Sequence, residues 1–221
     1  PREVLSNLSQ ENVSFSHSVY PKLASRGILR SYLTHHRYYS IGSPERLSLT
    51  EAFLKPQKAV ILDRDGTLNV KPPRAQYVTS WKQFNWLPGA IKSLQLLKRE
   101  GYKLILASNQ PGIARGIMTE SDLAGIHGAM AKDLEQHNVQ LDAIYYCPHG
   151  WDEGCFCRKP SPGMLFEAQR DFHLDLTKTL FIGDDPRDKQ AGQSARCLTA
   201  TVSENNPLIR VVQEFLSSQS L

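Results

Sequence analysis

Long apolar runs are missing from these 221 residues. None approaches the roughly 18 residues that a membrane-spanning helix needs, so such a helix is excluded and no membrane partner is expected. The opening residues lack a basic segment followed by an apolar one, so no secretory leader is expected and the expected location is cytoplasmic. Charge of one sign is also scarce. The formal net charge is +4, and seven Lys/Arg against four Asp/Glu before Lys58 supply most of it. An excess so small and scattered argues against nucleic acid as a partner. There are only four cysteines, too few and too clustered for a disulfide framework. Internal repeats and low-complexity tracts are absent. What is present, 40% hydrophobic and 22% charged residues, suits a globular protein with one sizeable core.

From Lys58 onward, short apolar segments alternate with helical patterns. Lys58–Asp63, Lys103–Ser108, Asp142–Cys147, Thr179–Asp184 and Cys197–Val202 are expected strands of a parallel sheet covered on both faces. Pro88 is expected to open a helix carrying Ile91, Leu94 and Leu97 on one face, with Gly101 as its stop. Thr119 and Asp122 have capping-box spacing ahead of Leu123, Ile126, Met130 and Leu134. Ser161 and Pro162 begin another helix, with Leu165, Ala168 and Phe172. Pro207 begins the last, with Leu208, Val211, Phe215 and Leu216. This alternation argues for a three-layer, Rossmann-like α/β domain, whose chemistry lies at the carboxyl ends of the strands. Asp63, Ser108 and Asp184 all fall at such ends.

In "AVILDRDGTLNV" (residues 59–70) a strand ends in two carboxylates one residue apart. Like charges that close repel. Asp63 and Asp65 either cap a turn before Gly66 and Thr67, or share a divalent cation, or divide nucleophilic and acid–base duties. A phosphoryl group attacked by a carboxylate needs its charge neutralised. Ser108 offers a hydroxyl and a backbone N–H, Lys159 a positive charge, and Asp184 and Asp185 further ligands for Mg²⁺, which prefers carboxylates and water.

"CPHGWDEGCFCRKP" (residues 147–160) places Cys147 and His149 five residues ahead of the Cys155-x-Cys157 pair. Three thiolates and an imidazole match a closed, structural, tetrahedral Zn²⁺ site. Such a site would fold a loop that has no secondary structure of its own and direct Arg158 and Lys159 toward the phosphate. Cys197 lies far off and is expected in the core.

"DRDGT", "SNQ", "RKP" and "GDD", in that order from Lys58 to about Val202, resemble the haloacid dehalogenase (HAD) superfamily of phosphatases. The resemblance implies the HAD fold and Asp63 as nucleophile forming an aspartyl-phosphate. It implies that Asp65 protonates the leaving oxygen and then activates water. Mg²⁺ would lie on the Asp63 carboxylate, the Asp65 backbone carbonyl and Asp184, while Ser108 and Lys159 hold the phosphoryl group. Asp185 and Asp188 would either hold Mg²⁺ through water or position Lys159; a solvated helix carboxylate is the alternative for Asp188. The cysteine loop and "SNQPGIARG" are similar to the D-glycero-D-manno-heptose 1,7-bisphosphate phosphatase branch, with histidinol-phosphate phosphatases as neighbours. The implied substrate is a small phosphorylated sugar whose 7-phosphate is removed, with Asn109, Arg115 and Arg158 at the sugar or its distal phosphate. No large insertion follows Asp65, so no large cap domain is expected. "KPPRAQYV" departs from the stand-alone heptose phosphatases in its length.

Residues 1–57 do not join the alternation. "GILRSYLTH" and "RYYSIG" look strand-like, and "SPERLSLTEAFLK" reads as a short helix capped by Ser43; "LKPQ" resembles a linker. This segment resembles the carboxyl-terminal end of a sugar-1-phosphate nucleotidyltransferase without that family's Gly-rich nucleotide loop, which suggests a fusion or pathway link to such an enzyme. The expected organisation is 1–57 as this tail and 58–221 as the phosphatase domain. Histidinol-phosphate phosphatase is the alternative activity, and a non-catalytic zinc-stabilised interaction module the alternative of another class.

Overall fold

The computed structural model describes residues 14–31 and 42–219. The chain divides into two compact units, Pro1–Thr50 and Glu51–Leu221. In the first, helices α1 (Phe15–Ser18) and α2 (Tyr20–Ser25) follow one another, and the Phe15 and Tyr20 rings meet edge to face at 5.9 Å. Residues 28–31 of the strand-like "GILRSYLTH" have no regular structure, and its residues 32–35, with nearly all of "RYYSIG", lie outside the described residues. Helix α3 (Pro44–Leu54) is present as expected and runs across the division between the units. In the second unit Gln57 forms an isolated bridge with Leu174, so "LKPQ" is not free chain.

The second unit is built on five strands: β1 (Ala59–Leu62), β2 (Lys103–Asn109), β3 (Ala143–Cys147), β4 (Leu180–Gly183) and β5 (Leu198–Thr201). Every pairing is parallel, in the order β3-β2-β1-β4-β5. Each strand lies within about a residue of the stretch expected from its apolar run. Leu62 sits level with Leu106 on one side and Ile182 on the other. The central strands β1 and β4 are buried throughout, whereas edge strand β5 keeps both ends exposed. The winding order reverses beside β1, which opens a crevice at the carboxyl ends of β1 and β4. Asp63 and Asp184 directly follow the ends of these two strands.

The helices cover both faces. Helix α4 (Ala90–Arg99) begins two residues after Pro88, because Gly89 takes a left-handed conformation (φ 79°) as its N-cap. It buries Ala90, Ser93, Leu94 and Leu97. Helix α5 (Glu120–Gln136) carries the expected capping box, with the Thr119 side chain accepting from the Asp122 amide at 3.1 Å and Asp122 Oδ2 accepting from the Thr119 amide at 2.8 Å. Helices α6 (Gly163–Phe172) and α8 (Leu208–Gln219) begin at the expected proline signals. Helix α7 (Pro186–Ser194) lacks an apolar stripe and buries Asp188, Ala191 and Gly192 instead. Between β1 and α4 residues 63–89 hold only a short 3-10 turn, Trp81–Gln83, so no large cap domain stands over the strand ends. No helix among the described residues is long and apolar enough to cross a membrane.

Helix α7 lies so close to the sheet that a Cβ at Gly192 would collide with the Thr199 methyl and reach 3.2 Å from Phe181 Cδ1. Alanine would gain about 0.5–1 kcal/mol in helix propensity, but overpacking typically costs about 1–3 kcal/mol. Gly192→Ala should therefore lower stability, read as a reduced denaturant midpoint; a raised midpoint would contradict this packing.

Candidate active site

Strand β1 ends with its polarity reversing: four buried apolar residues, then Asp63, Arg64 and Asp65. Parallel strand ends leave the next backbone groups without a neighbour, and here the turn supplies them. The Asp63 amide still donates to the Ile182 carbonyl at 2.9 Å, and Arg64 accepts from the Leu68 amide at 2.9 Å. Gly66 has φ 95°, and a Cβ there would strike the Asp184 carboxylate. This glycine lets the ends of β1 and β4 approach.

Lys159 is the centre of the site. Its Nζ lies 2.6 Å from Asp63 Oδ1 and 2.6 Å from Asp188 Oδ1, and it donates to the Ala107 carbonyl at 2.8 Å. Burial alone would push this ammonium down, but Asp63 and Asp188 outweigh burial and keep it charged. Burial pushes Asp63 up to about 6; Lys159 opposes the rise, while Asp188 and Asp65 add to it. Asp188 is only 4% exposed and is therefore not a solvated carboxylate. It bonds the amide of Asp185 and completes the capping box of α7 while holding Lys159.

Asp65 has a different shell. It accepts from Arg64 Nη2 at 2.8 Å, Asn69 Nδ2 at 2.9 Å and Gln110 Nε2 at 3.0 Å. Burial raises its pKa, but Arg64 and these hydrogen bonds outweigh it and hold the carboxyl below its ordinary value. Gln110 also donates to Ser108 Oγ at 2.8 Å. Asp184 accepts from Lys71 Nζ at 2.6 Å through Oδ2, while its Oδ1 is buried without a partner. Asp63, Asp184 and Asp188 bring carboxylate oxygens within 4.8 Å of one another. A buried unpartnered oxygen in such a group suits a hard cation such as Mg²⁺.

Asp63, Asp65, Ser108, Asn109, Lys159 and Asp184 thus line one cleft of about 90 Å³, together with Lys71, Asp185, Arg187 and Asp188. Asn109 uses its whole amide on the Lys159 backbone, donating to its carbonyl and accepting from its N–H, both at 3.0 Å. Arg158 and Arg115 lie outside the cleft. Arg158 donates to the His149 carbonyl at 3.2 Å and lines a neighbouring cavity of about 360 Å³, shared with Trp151, Lys159 and Arg187. Arg115 is exposed, with its guanidinium 5.9 Å from the Tyr77 ring centroid. Lys71, Arg187, Arg64 and Gln110 join the site without a role assigned to them from the sequence. Arg64 sits between the two motif carboxylates and Arg187 between two more, a local charge alternation that could have marked both.

The cysteine loop gathers as its spacing suggested. Cys147 Sγ lies 3.6 Å from Cys155 Sγ and 3.5 Å from His149 Nδ1, and Cys157 Sγ lies 3.2 Å from that same nitrogen. A tetrahedral zinc with Zn–S near 2.3 Å and Zn–N near 2.0–2.1 Å has edges of roughly 3.5–3.8 Å. Cys147 is the last residue of β3, level with Asn109 on β2, so the cluster is fastened beside the cleft. Cys197 is buried and apart from it, as expected.

Residues 58–202 match the family described as polynucleotide kinase 3 phosphatase. A protein of Pasteurella multocida (strain Pm70) named D-glycero-beta-D-manno-heptose-1,7-bisphosphate 7-phosphatase is 40% identical over 159 residues, which span 69% of this chain and 85% of that protein. The chain belongs to the HAD-superfamily heptose-bisphosphate phosphatase family. A Campylobacter jejuni relative (serotype O:2) is 41% identical over 62% of this chain and 77% of its own length, and its name specifies the alpha sugar instead. Among solved structures, the D,D-heptose 1,7-bisphosphate phosphatase of B. bronchiseptica, complexed with magnesium and phosphate, superposes with a TM-score of 0.67 at 33% identity. It covers 73% of this chain and 99% of its own.

Behind the cleft, Arg64 Nη1 lies 3.4 Å from His127 Nε2. Guanidinium only donates, so the imidazole accepts and must be neutral. Burial and then Arg64 push His127 down to about 4 from its ordinary 6.5, against a smaller opposing pull from Asp65. A folded-state pKa below the unfolded one means stability is full above pH 6.5 and is lost as pH falls toward 4, by about 3 kcal/mol in all. His127→Gln, which keeps an acceptor and cannot titrate, should flatten the fall in melting temperature across that window. An unchanged slope would refute the neutral buried imidazole.

Proposed function

We propose that the chain removes the 7-phosphate of D-glycero-D-manno-heptose 1,7-bisphosphate through an aspartyl-phosphate on Asp63. The observation that carries this reading is the single cleft where Asp63, Asp65, Ser108, Lys159 and Asp184 meet, in a chain about 40% identical to relatives bearing that name. An Asp63 oxygen attacks phosphorus in line with the bond to the sugar oxygen. As that bond breaks, Asp65 delivers a proton to the leaving oxygen. The approaching phosphate charge raises the proton affinity of Asp65, which its three donors otherwise hold low. Asp65 then takes a proton from water as that water attacks phosphorus, and the bond to Asp63 breaks, releasing phosphate. Ser108 and Lys159 hold the phosphoryl oxygens throughout. Asp63, the Asp65 carbonyl and Asp184 would hold Mg²⁺, which supplies charge neutralisation at the transferring group. Asp188 and Asn109 position Lys159, one by its ammonium and the other by its backbone.

The bisphosphate needs a second cationic seat. Arg158, in the cavity adjoining the cleft, is assigned to the distal phosphate, and Arg115 to the outer rim. The same cations would repel the amine of histidinol phosphate, which disfavours that activity. We assign Zn²⁺ to Cys147, His149, Cys155 and Cys157, as a structural ion, and a cytoplasmic location, where thiols stay reduced. Residues 58–221 form the proposed phosphatase domain, and residues 1–57 a tail related to a sugar nucleotidyltransferase.

Phosphate release from the heptose bisphosphate, its 1-phosphate and histidinol phosphate tests the assignment. The bisphosphate should be the preferred substrate, and preference for histidinol phosphate would overturn it. Asp63→Asn should lower turnover by about a thousandfold or more while leaving the fold intact; activity within tenfold of the parent would exclude the covalent route.

Elemental analysis of protein purified without added metal should find about one zinc per chain. Cys155→Ser should lower the melting temperature and weaken substrate binding together, because the loop carries Arg158 and Lys159. A zinc-free variant with parental stability and activity would overturn the structural role.

A further inference from the structure

Three cations line the cleft, and they are held very differently. Lys159 is locked in place between Asp63, Asp188 and the Ala107 carbonyl. Arg187 forms a two-pronged pair with Asp185, at 2.8 Å through both Nε and Nη2. Lys71 rests on Asp184 at 2.6 Å and has only a long 3.5 Å contact with Asp185, which Arg187 already neutralises. Asp184 is thus its principal anchor. Its side chain is nonetheless 48% exposed, so it can leave by rotating about its own bonds.

The segment carrying Lys71 favours such an exchange. It has no helix or strand, and from Val70 until Val78 is buried it is exposed apart from the half-buried Pro72 and Tyr77. Its start is pinned by Asn69, which is buried and bonded to Asp65. Pro72 and Pro73 stiffen it. The ammonium therefore moves on a fixed base.

Charge decides what the movement does. Asp63, Asp65, Asp184, Asp185 and Asp188 face Lys71, Lys159 and Arg187 in the cleft, and Arg64 behind Asp65 brings the balance to a single negative charge. A divalent ion on Asp184 reverses that sign, and an ammonium held 2.6 Å from the same carboxylate then repels it. A substrate phosphate offers the displaced ammonium a new anion within the same cleft. From this arrangement we infer that Lys71 is an exchangeable cation: it neutralises Asp184 while no divalent ion is bound, and passes to the substrate phosphate when the ion takes Asp184. This rests on the proposed role of Asp184 in holding Mg²⁺. It makes metal and phosphate binding mutually reinforcing, since each binds better once the other has claimed its partner. Lys71 is then a phosphate-positioning residue that also tunes metal affinity.

Calorimetry of the full chain, freed of phosphate, tests it. Lys71→Met keeps most of the length of the side chain and removes the charge. It should bind Mg²⁺ about three- to tenfold more tightly, because no ammonium competes, yet bind inorganic phosphate about tenfold more weakly at saturating Mg²⁺. In the parent protein, Mg²⁺ alone should increase modification of Lys71 by an amine-reactive reagent, and Mg²⁺ with phosphate should suppress it. A role in folding alone would weaken both ligands together. Equal Mg²⁺ affinity in parent and variant, with labelling indifferent to Mg²⁺, overturns the exchange while leaving the metal site standing. Absence of Mg²⁺ binding in both proteins overturns the metal site itself, and the exchange with it.

Discussion

A single ammonium group organises the site. Lys159 Nζ is buried against two carboxylates and a carbonyl that come from the end of β1, from α7 and from β2. An isolated charge in that position would be expelled or neutralised by losing its proton. Three partners at 2.6–2.8 Å offset the desolvation and at the same time fix where the Asp63 carboxylate can point. Removing Lys159 would leave two buried carboxylates uncompensated, a loss that typically costs about 3–5 kcal/mol, whereas a neutral amide at position 63 would leave Lys159 paired with Asp188. The triad therefore links the chemistry to the packing of the sheet. Asp63 can be held close to Asp65 because Lys159 neutralises one of them and Arg64 the other.

The loop that delivers Lys159 has little means of folding on its own. From Pro148 to Pro162 it contains no helix or strand. Trp151 is 76% exposed and Phe156 64%, so apolar burial does not hold it. Two devices do. One is the meeting of three thiols and an imidazole at the end of β3, and the other is the Asn109 amide, which grips the Lys159 backbone from β2. An ion in the proposed zinc site, at one end of the loop, would also set the position of Lys159 at the other.

The contrast between the two aspartates of the motif follows from their shells. Asp63 faces burial with one close cation and two neighbouring carboxylates, so its proton affinity rises. Asp65 is less deeply buried and has three donors, and its proton affinity falls. Two identical side chains, two residues apart, are thereby made unequal, which is what a division into nucleophile and proton carrier requires. The open strand ends, without a cap domain, are bordered by Lys71, Arg187 and the cavity that Arg158 lines.

Much of this could be read along the chain. Apolar runs marked all five strands to within about a residue, most plainly β1 and β4, which are buried throughout and so exclude polar side chains over their whole length. Thr119 with Asp122, and the prolines ahead of α6 and α8, marked helix starts because caps act over three or four residues. Asp63, Asp65, Ser108, Lys159 and Asp184, and the thiol cluster, were visible as motifs of close spacing. The start of α4 was displaced to Gly89, whose left-handed conformation no periodicity reports. Helix α7 had no apolar stripe to announce it, since its inward face is made of Asp188, Ala191 and Gly192. Above all, partnership was decided by the fold. Lys159 and Asp63 are 96 positions apart, and Lys71 and Asp184 are 113 apart. Sequence spacing fixes which side chains leave the same end of the sheet, but winding order and desolvation decide which charges must share one small volume.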